Sequence, residues 1–354
     1  MKRVGIVTWY FGANYGALAQ SIALCKVVST LGYECAVVNY RPRGYVKTIV
    51  SANIPPKWHR LLHLRKTVDG IRKCAYLSKN FFLTETSRVR NAQQIDGLKL
   101  DCLIFGSDAI FNIKHRLCKQ IYFGVGIKTP KITYSPSCEY LNPVTDLPED
   151  YRQSLKEMGA MSVRDISTFQ LVEKNTGLKP QITLDPTFLY KFNEIPSIFE
   201  TDRYLLIYSF SDWSVYKDRI REYAKENNLS IIVVGQSLTW ADYSYPNASF
   251  EQWVDSFRKA LLVVTDSFHG TVFSMKYNKP IVLCGRHDKK SKIQALLSQL
   301  GVPVELYQGE KISDYLCQNT IDYEITNKRI EDEVIRSISY LRESLDRVTG
   351  GEDK

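Results

Sequence analysis

The sequence predicts an α/β protein of two domains, and two observations support this fold class. Short apolar runs typical of buried strands alternate with helical patterns along the 354 residues. Such alternation indicates parallel sheets covered by helices on both faces. The alternation stops near 190–203, where a polar stretch with a proline precedes a new apolar run. A chain of this length can form two full cores, so domains are predicted at 1–190 and 204–327, followed by a terminal helix within 328–354.

The individual elements follow from the period of the apolar residues. Strands are predicted at 3–9, 35–40, 101–105, 131–135, 160–164, 181–184, 204–209, 230–235, 261–264 and 280–284. Helices are predicted at 17–31, 58–78, 148–158, 166–176, 214–227, 249–259, 270–277, 289–299 and 328–348. The last helix carries an apolar stripe at helical spacing, so we expect it to pack back on the N-terminal domain.

Composition indicates a globular protein of a reducing compartment. The chain is 44% hydrophobic and 24% charged, and no apolar run approaches the roughly 18 residues of a membrane-spanning helix. The apolar part of the N-terminus is too short for a signal peptide, so a cytoplasmic location is expected. Eight cysteines form no C-x-x-C pair, which predicts buried free thiols.

Positive charge is concentrated in one stretch, residues 41–90. The stretch holds twelve Lys or Arg residues and two acids, a net charge of +10, whereas the whole chain carries +9. It is either a solvated helix face or a surface that attracts phosphates on lipids or on a ligand. The predicted helix at 58–78 combines basic and apolar side chains and could lie in a membrane interface. We expect an anionic membrane as a peripheral partner and no nucleic acid.

The loop that follows the strand at 261–264 carries the strongest chemical signal. His269 lies there, just before a predicted helix, and the carboxyl ends of strands in open α/β sheets face ligands. Histidine exchanges protons near neutral pH, and Asp266, three residues earlier, could fix its tautomer. A purely structural histidine is the alternative. Ser267 has no G-x-S-x-G context, so a serine nucleophile is not predicted.

Two further loops follow predicted strands in the first domain. Asn14 and Gly16 lie between the first strand and a helix, where glycine admits a ligand and the helix N-terminus attracts anions. The loop lacks G-x-G-x-x-G, and a simple tight turn is the alternative. Asp108, after the strand at 101–105, could accept a proton from a hydroxyl or could cap a helix.

Arg164 stands at the end of a predicted strand. Its planar fork suits a carboxylate or a phosphate, and the alternative is an ion pair with Asp165 or Asp185. His59 and His63 have the spacing of a zinc motif, but the glutamate that the motif needs is absent. No metal site is therefore predicted.

Taken together, these loops resemble the polysaccharide pyruvyl transferase family over about residues 4–300. The resemblance rests on Asn14-Tyr15-Gly16-Ala17, Gly106-Ser107-Asp108, Tyr134-Ser135-Pro136-Ser137, Ser162-Val163-Arg164-Asp165, Leu184-Asp185-Pro186-Thr187-Phe188-Leu189 and Thr265-Asp266-Ser267-Phe268-His269-Gly270-Thr271. It implies a fold similar to GT-B glycosyltransferases: two Rossmann-like domains facing a cleft, with a C-terminal helix that returns to the first domain.

The resemblance also implies an activity. Phosphoenolpyruvate is the expected donor, a sugar diol of a cell-surface polysaccharide precursor, such as that of a capsule or exopolysaccharide, is the acceptor, and the product is a cyclic pyruvate ketal. No cofactor or metal is expected. His269 is implied as the acid/base and Arg164 as an anion ligand, and Asp108 or Asp266 could take the hydroxyl proton. The full set of expected substrate-binding residues is Arg164, Ser267, Asn14, Gly16, Gly270, Lys276 and Arg286.

One position departs from the family. Its better-studied members carry a second arginine two residues before the histidine, where this chain has Ser267. Another cation must then hold the donor, and the candidates by sequence are Lys276, Arg286, Lys289 and Lys290.

The first domain is the expected acceptor side and the second the donor side. The acceptor is expected on a polyprenyl diphosphate carrier at the cytoplasmic face of the membrane. A nucleotide-sugar glycosyltransferase on the same fold and a non-catalytic glycan-binding protein remain as alternatives.

Overall fold

The computed structural model describes all residues except 13, 46, 49–67, 69–82, 200–202, 212, 285–289 and 351–354. The helix predicted at 58–78 lies outside the described residues apart from Val68, and so does Arg286. The described residues form two units. One contains the described parts of 1–59, 78–191 and 331–350, and the other contains those of 192–330.

The first unit is built on parallel strands. Its strands are β1 (Arg3–Val7), β2 (Glu34–Val37), β3 (Cys102–Phe105), β4 (Lys131–Thr133), β5 (Ser162–Val163) and β6 (Gln181–Ile182). The first four pair in the order β2-β1-β3-β4, and β5 pairs with β6. A single bridge, between Ile132 and Ala160, connects the two sets. All four residues of β3 are buried, as a strand with helices on both faces requires.

The helices of the first unit complete its layers. They are α1 (Tyr15–Thr30), α2 (Ala92–Asp96), α3 (Glu149–Lys156), α4 (Ile166–Thr176) and α5 (Pro186–Leu189), with a 3₁₀ turn at Gln120–Phe123. Helix α1 is buried around most of its circumference, which is why its sequence lacks a clear polar face.

The second unit repeats the parallel plan. Its strands are β7 (Tyr204–Tyr208), β8 (Ser230–Val234), β9 (Tyr243–Tyr245), β10 (Leu262–Thr265) and β11 (Ile281–Leu283), in the sheet order β11-β10-β7-β8-β9. Its helices are α6 (Lys217–Glu226), α7 (Phe250–Lys259), α8 (Phe268–Lys276), α9 (Lys290–Gln299) and α10 (Ile312–Gln318), and a 3₁₀ turn spans Ser214–Tyr216. Strand β9 was not predicted, because three edge residues form no apolar run.

The last helix, α11 (Tyr323–Thr349), begins in the second unit and ends in the first. It starts five residues before the predicted position because the Asp322 carboxylate accepts hydrogen bonds from two backbone N–H groups of its first turn. In the first unit, the Tyr340 hydroxyl donates to the Thr133 carbonyl at 2.8 Å, and Leu341 and Leu345 are fully buried. The return of this helix to the first unit was predicted and is confirmed.

The predicted fold class, α/β with two Rossmann-like units, is confirmed as well. Among the described residues, no helix has both the length and the apolar character needed to span a bilayer. Seven of the eight cysteines are described and all seven are free thiols, although Cys118 is half-buried and Cys317 is exposed.

Candidate active site

In each main sheet, strands are added first on one side of the initial strand and then on its other side, and the point between these two sets is the topological switch point. In the first unit this position lies between β1 and β3, whose ends pair through Val7 and Phe105. In the second unit it lies between β7 and β10, which pair through Tyr208 and Thr265. Open α/β sheets bind ligands outside the carboxyl ends of strands at such switch points. The predicted loops carrying Asp108 and His269 lie at these two places.

The loop between β1 and α1 is organised by Asn14. Its side-chain oxygen accepts hydrogen bonds from the backbone N–H groups of Gly16, at 3.0 Å, and Ala17, at 3.3 Å. This is a helix cap, which satisfies donors that have no partner within the helix. The N–H of Gly16 is therefore used within the loop, and the role of both residues in binding a substrate stays a prediction.

Gly106 fixes the geometry of the loop after β3. Its φ is +133°, and a Cβ atom there would lie 1.9 Å from the Tyr134 carbonyl oxygen, so only glycine fits. Asp108 follows with a φ of 70° and is half-buried. One of its carboxylate oxygens accepts from the Ala109 N–H at 2.8 Å. No helix begins here, so the helix-cap alternative for Asp108 does not apply.

A buried polar network supports the Asp108 loop from below. The Ser107 N–H donates to Gln20 Oε1 at 3.2 Å, and Gln20 Nε2 donates to Thr8 Oγ1 at 3.1 Å. The Thr8 hydroxyl in turn donates to the Ser107 carbonyl at 2.9 Å. Thr8, Gln20 and Ser107 are all buried. Each hydrogen bond therefore satisfies a polar group that would otherwise be removed from water without a partner, at a cost in free energy. In the sequence, the only indication of this network is Gln20, a polar residue within the otherwise apolar pattern of helix α1.

Arg164 binds an anion of the protein itself. Its Nη1 lies 3.3 Å from Asp185 Oδ2, and the two side chains are 4% and 0% exposed. Asp185 also accepts from the Thr187 hydroxyl at 2.7 Å. Asp165 instead accepts from Ser137 and caps α4. Of the two ion pairs left open by the sequence, the structure therefore contains the one with Asp185.

His115 is a site residue that the sequence analysis missed. Its ring lies against that of Trp9, just beyond β1, with centroids 4.4 Å apart and planes tilted by 37°. Burial lowers its pKa, while the charges of Glu139 and Asp108 oppose that shift. Its Nδ1 accepts from the Leu117 N–H at 3.2 Å, so the neutral ring carries its proton on Nε2 and presents a donor. A lone histidine in a polar loop gave no sequence signal.

In the second unit, the start of α8 is held by residues expected to bind substrate. Ser267 is the helix cap, and its hydroxyl accepts from the Gly270 N–H at 3.3 Å. A Cβ atom at Gly270 would lie 2.1 Å from Thr265 Oγ1. Ser267 and Gly270 therefore have structural roles, which set how closely α8 approaches β10.

His269 lies in the first turn of α8 and is 7% exposed. Phe268 lies edge-on to its ring, with centroids 5.3 Å apart and planes at 89°. The backbone N–H groups at this helix N-terminus favour anions. The structure thus combines an imidazole with an anion-attracting helix end at a switch point.

Asp266 joins the two loops at this switch point. One carboxylate oxygen accepts from the Phe210 N–H at 2.9 Å, and the other accepts from the Ser211 hydroxyl. Both donors belong to the loop after β7. The side chain is 2% exposed, so it is committed to holding this loop. Its predicted influence on His269 stays a prediction.

Of the cations suggested by the sequence, Arg286 and Lys289 lie outside the described residues, and so does the side chain of Lys290. Lys276 lies at the other end of α8, about 10 Å along the axis from His269 at 1.5 Å per residue, and its Nζ is 5.7 Å from the Phe192 ring. Lys292, which the sequence analysis did not consider, places its Nζ 5.9 Å from the centroid of the Phe268 ring. The helix therefore separates Lys276 from His269, and a role of Lys276 in binding a substrate stays a prediction.

Over the described parts of the chain, no group of three or more His, Cys, Asp and Glu side chains is arranged to hold a metal ion.

Two Rossmann-like units, each with polar side chains at the switch point of its sheet, define a GT-B-like α/β protein. Its fold is similar to that of a UDP-GlcNAc 2-epimerase from Neisseria meningitidis bound to UDP-GlcNAc, with a TM-score of 0.57 and 12% identity over 98% of this chain and 99% of that one. It is also similar to the UDP-N-acetylglucosamine 2-epimerase from Rickettsia bellii, with a TM-score of 0.51 and 13% identity over 98% of each chain. At such identities the likeness concerns the fold alone.

The sequence family is more specific than the fold. The profile of the polysaccharide pyruvyl transferase family matches residues 14–288, well over half of the chain. The protein belongs to this family, which indicates a transferase of polysaccharide biosynthesis. No curated protein matches the chain by sequence.

Proposed function

We propose that the protein transfers the enolpyruvyl group of phosphoenolpyruvate to a sugar diol of a cell-surface polysaccharide precursor and closes a cyclic ketal. The observation that carries this proposal is the family match over 14–288, which includes the loops with the candidate acid/base residues Asp108, Asp266 and His269. No cofactor takes part in the proposed reaction.

The proposed reaction needs one acid and one base. The first sugar hydroxyl attacks C2 of the donor and loses its proton to a base, while the donor methylene carbon takes a proton and becomes a methyl group. The second hydroxyl then attacks C2, the bond from C2 to the phosphate oxygen breaks, and inorganic phosphate leaves with the remaining proton. His269, in its charged form, is the proposed acid for the methylene carbon.

Of the two candidate bases, Asp108 suits the role better than Asp266. Asp108 is half-buried, and only one of its carboxylate oxygens has a hydrogen bond within the described structure. Asp266 uses both oxygens to hold the loop after β7. A base must reach the hydroxyl that it deprotonates, so we assign the hydroxyl proton to Asp108.

The donor carries a carboxylate and a phosphate, so its site needs more than one cationic group. The family arginine is replaced by Ser267, which serves as a helix cap. Lys292 lies beside Phe268 and is the proposed substitute. Arg164, held in place by Asp185, stays the proposed anion ligand of the first unit.

The acceptor is proposed to be lipid-linked through a polyprenyl diphosphate, which would bring the protein to the cytoplasmic face of the membrane. The first unit contains the described residues of 41–48 and 83–90 in the basic stretch and is the proposed acceptor side. Phosphates and an anionic bilayer both attract such a stretch.

Phosphate release tests the proposal against its main alternative. The protein is incubated with a panel of lipid-linked sugars and either phosphoenolpyruvate or UDP-sugars. We expect inorganic phosphate from phosphoenolpyruvate, only when an acceptor is present. Release of UDP instead would indicate a glycosyltransferase, and release of neither with any acceptor would favour a glycan-binding protein.

A further inference from the structure

A cationic pocket of about 470 Å³ lies beyond the carboxyl end of β2 in the first unit. We call it the arginine pocket. Its lining consists of Arg41, Pro42, Arg43, Gly44, Tyr45, Lys47, Arg88 and Arg90. Five of these eight residues are basic and none is acidic. The volume falls within the roughly 300–1,000 Å³ of ligand sites.

Backbone pairing brings the two basic segments of the pocket together. The Arg41 N–H donates to the Val89 carbonyl at 3.0 Å, and the Val89 N–H donates to the Asn39 carbonyl at 3.0 Å. Val89 is buried, so its neighbours Arg88 and Arg90 point to the opposite, solvent-facing side of this extended segment. The pocket is therefore built on a fixed backbone.

Arg41 is anchored at the inner end of the pocket. Its Nη2 lies 3.4 Å from Glu85 Oε2, and its guanidinium lies 4.1 Å from the centre of the Phe11 ring. The Asn39 amide holds the same Glu85 carboxylate at 2.7 Å. These contacts fix the guanidinium before any ligand arrives.

Among the described residues, no acidic partner is found for the other four cations of the pocket. Arg43, Lys47, Arg88 and Arg90 are exposed, and none forms an ion pair with an acid of the described residues. Like charges gathered in one place repel each other, and an anion that binds them removes this repulsion. Arginine forks bind the oxygens of a phosphoryl group in pairs, so a ligand with two linked phosphoryl groups uses such a cluster best.

Tyr45 connects the arginine pocket to the candidate active site. Burial raises the pKa of its phenol to about 12; the charge of Asp108 raises it as well, while the Tyr122 hydroxyl and the charge of Arg41 lower it. One side chain thus experiences the charges of both Asp108 and Arg41. Geometry supports the same connection, because the Phe11 ring that contacts Arg41 belongs to the loop after β1, and this loop lies at the same switch point as the Asp108 loop.

We infer that the arginine pocket binds the diphosphate that joins the acceptor sugar to its carrier, with the sugar directed toward Asp108. The inference rests on the proposed function and adds to it the place where the carrier end of the acceptor binds.

Direct binding to the full-length protein tests the inference without turnover. Isothermal titration with inorganic diphosphate at low salt compares the wild type with Arg43→Glu/Arg88→Glu. The control variant is Lys26→Glu/Lys156→Glu, which changes the charge equally at exposed lysines elsewhere in the same unit. We expect the pocket variant to bind diphosphate at least about 10-fold more weakly and the control to stay within about 2-fold. Equal binding by the two variants would overturn the inference.

Further ligands identify the source of the phosphates. Neutral vesicles carrying a polyprenyl diphosphate sugar are compared with vesicles containing phosphatidylglycerol at matched charge, and with free phosphoenolpyruvate. The inference expects the pocket variant to lose binding only to the diphosphate vesicles. Equal loss on phosphatidylglycerol would make the pocket a membrane contact, and equal loss of phosphoenolpyruvate would make it part of the donor site. Either result contradicts the inference.

The binding experiment and the turnover experiment can fail independently, so the pocket assignment and the proposed function are tested separately. If the pocket variant loses diphosphate binding but the wild type releases no phosphate with any acceptor, the pocket assignment stands and the proposed function is wrong.

Discussion

The switch points of the two sheets use their polar side chains in opposite ways. In the second unit, the side chains of Asp266 and Ser267 form hydrogen bonds within the protein. Asp266 holds the loop after β7, and Ser267 caps the start of α8 next to His269. In the first unit, Asp108 is half-exposed, and four cations of the arginine pocket have no ion pair within the described residues. We therefore propose a preorganised acid site in the second unit and an open, charged binding site in the first.

The largest effect is expected from a variant that breaks the buried ion pair between Arg164 and Asp185, next to the Asp108 loop. Arg164→Ala leaves the Asp185 carboxylate, which is fully buried, without its guanidinium partner. We expect the free energy of unfolding to fall by about 3–5 kcal/mol, measured by urea denaturation. Arg152→Ala, which removes an exposed ion pair with Glu149, is the matched control and should cost less than about 1 kcal/mol. Similar values for both variants would contradict the structural role of Arg164.

The second prediction concerns the acid site. His269→Ala is expected to lower the rate of phosphate release at least about 100-fold, because the donor methylene loses its proton source. Circular dichroism is the folding control. Near-normal turnover in a folded variant would show that His269 is only a structural histidine.

The third prediction uses a pair of variants to compare the carboxylates of Asp108 and Asp266. Asp108→Asn should lower turnover about 100-fold and leave the thermal midpoint unchanged, because its side chain holds only a local backbone N–H. Asp266→Asn should lower the free energy of unfolding by about 1–3 kcal/mol, because a buried acceptor of two hydrogen bonds is altered. The reverse pattern would exchange the two roles.

The smallest expected effect distinguishes two lysines. Lys292→Gln should raise the KM for phosphoenolpyruvate about 10-fold, because the proposed donor site loses one charge-assisted contact. Lys276→Gln, which also removes a lysine beside an aromatic ring, should change it by less than about 2-fold. A larger effect at Lys276 would contradict the separation of this residue from His269 along α8.

The sequence was sufficient for ten of the eleven described strands and for the position of the loops that carry His269 and Asp108. Apolar runs such as Leu262–Thr265 form strands because they are buried on both faces, and the residues that follow must then lie at the carboxyl edge of the sheet. His269 and Asp108 were predicted to lie there for this reason, and they do.

Pairing between side chains was beyond the reach of the sequence. From the sequence, Asp165 and Asp185 were equally good partners for Arg164. In the structure Asp165 caps α4, and Arg164 pairs with Asp185. Lys276 was closer in sequence than Lys292, but it lies seven positions further along the helix than His269. Contacts of this kind depend on tertiary distances that no local pattern encodes.

The central claim is the formation of a pyruvate ketal, and analysis of the product tests it most directly. The protein is incubated with phosphoenolpyruvate and the acceptor that supports phosphate release, and the glycan is examined by NMR and mass spectrometry. The account predicts one ketal methyl signal for each phosphate released, and its loss with His269→Ala. An acceptor that gains no pyruvate, or that gains a sugar from a nucleotide donor, would contradict it.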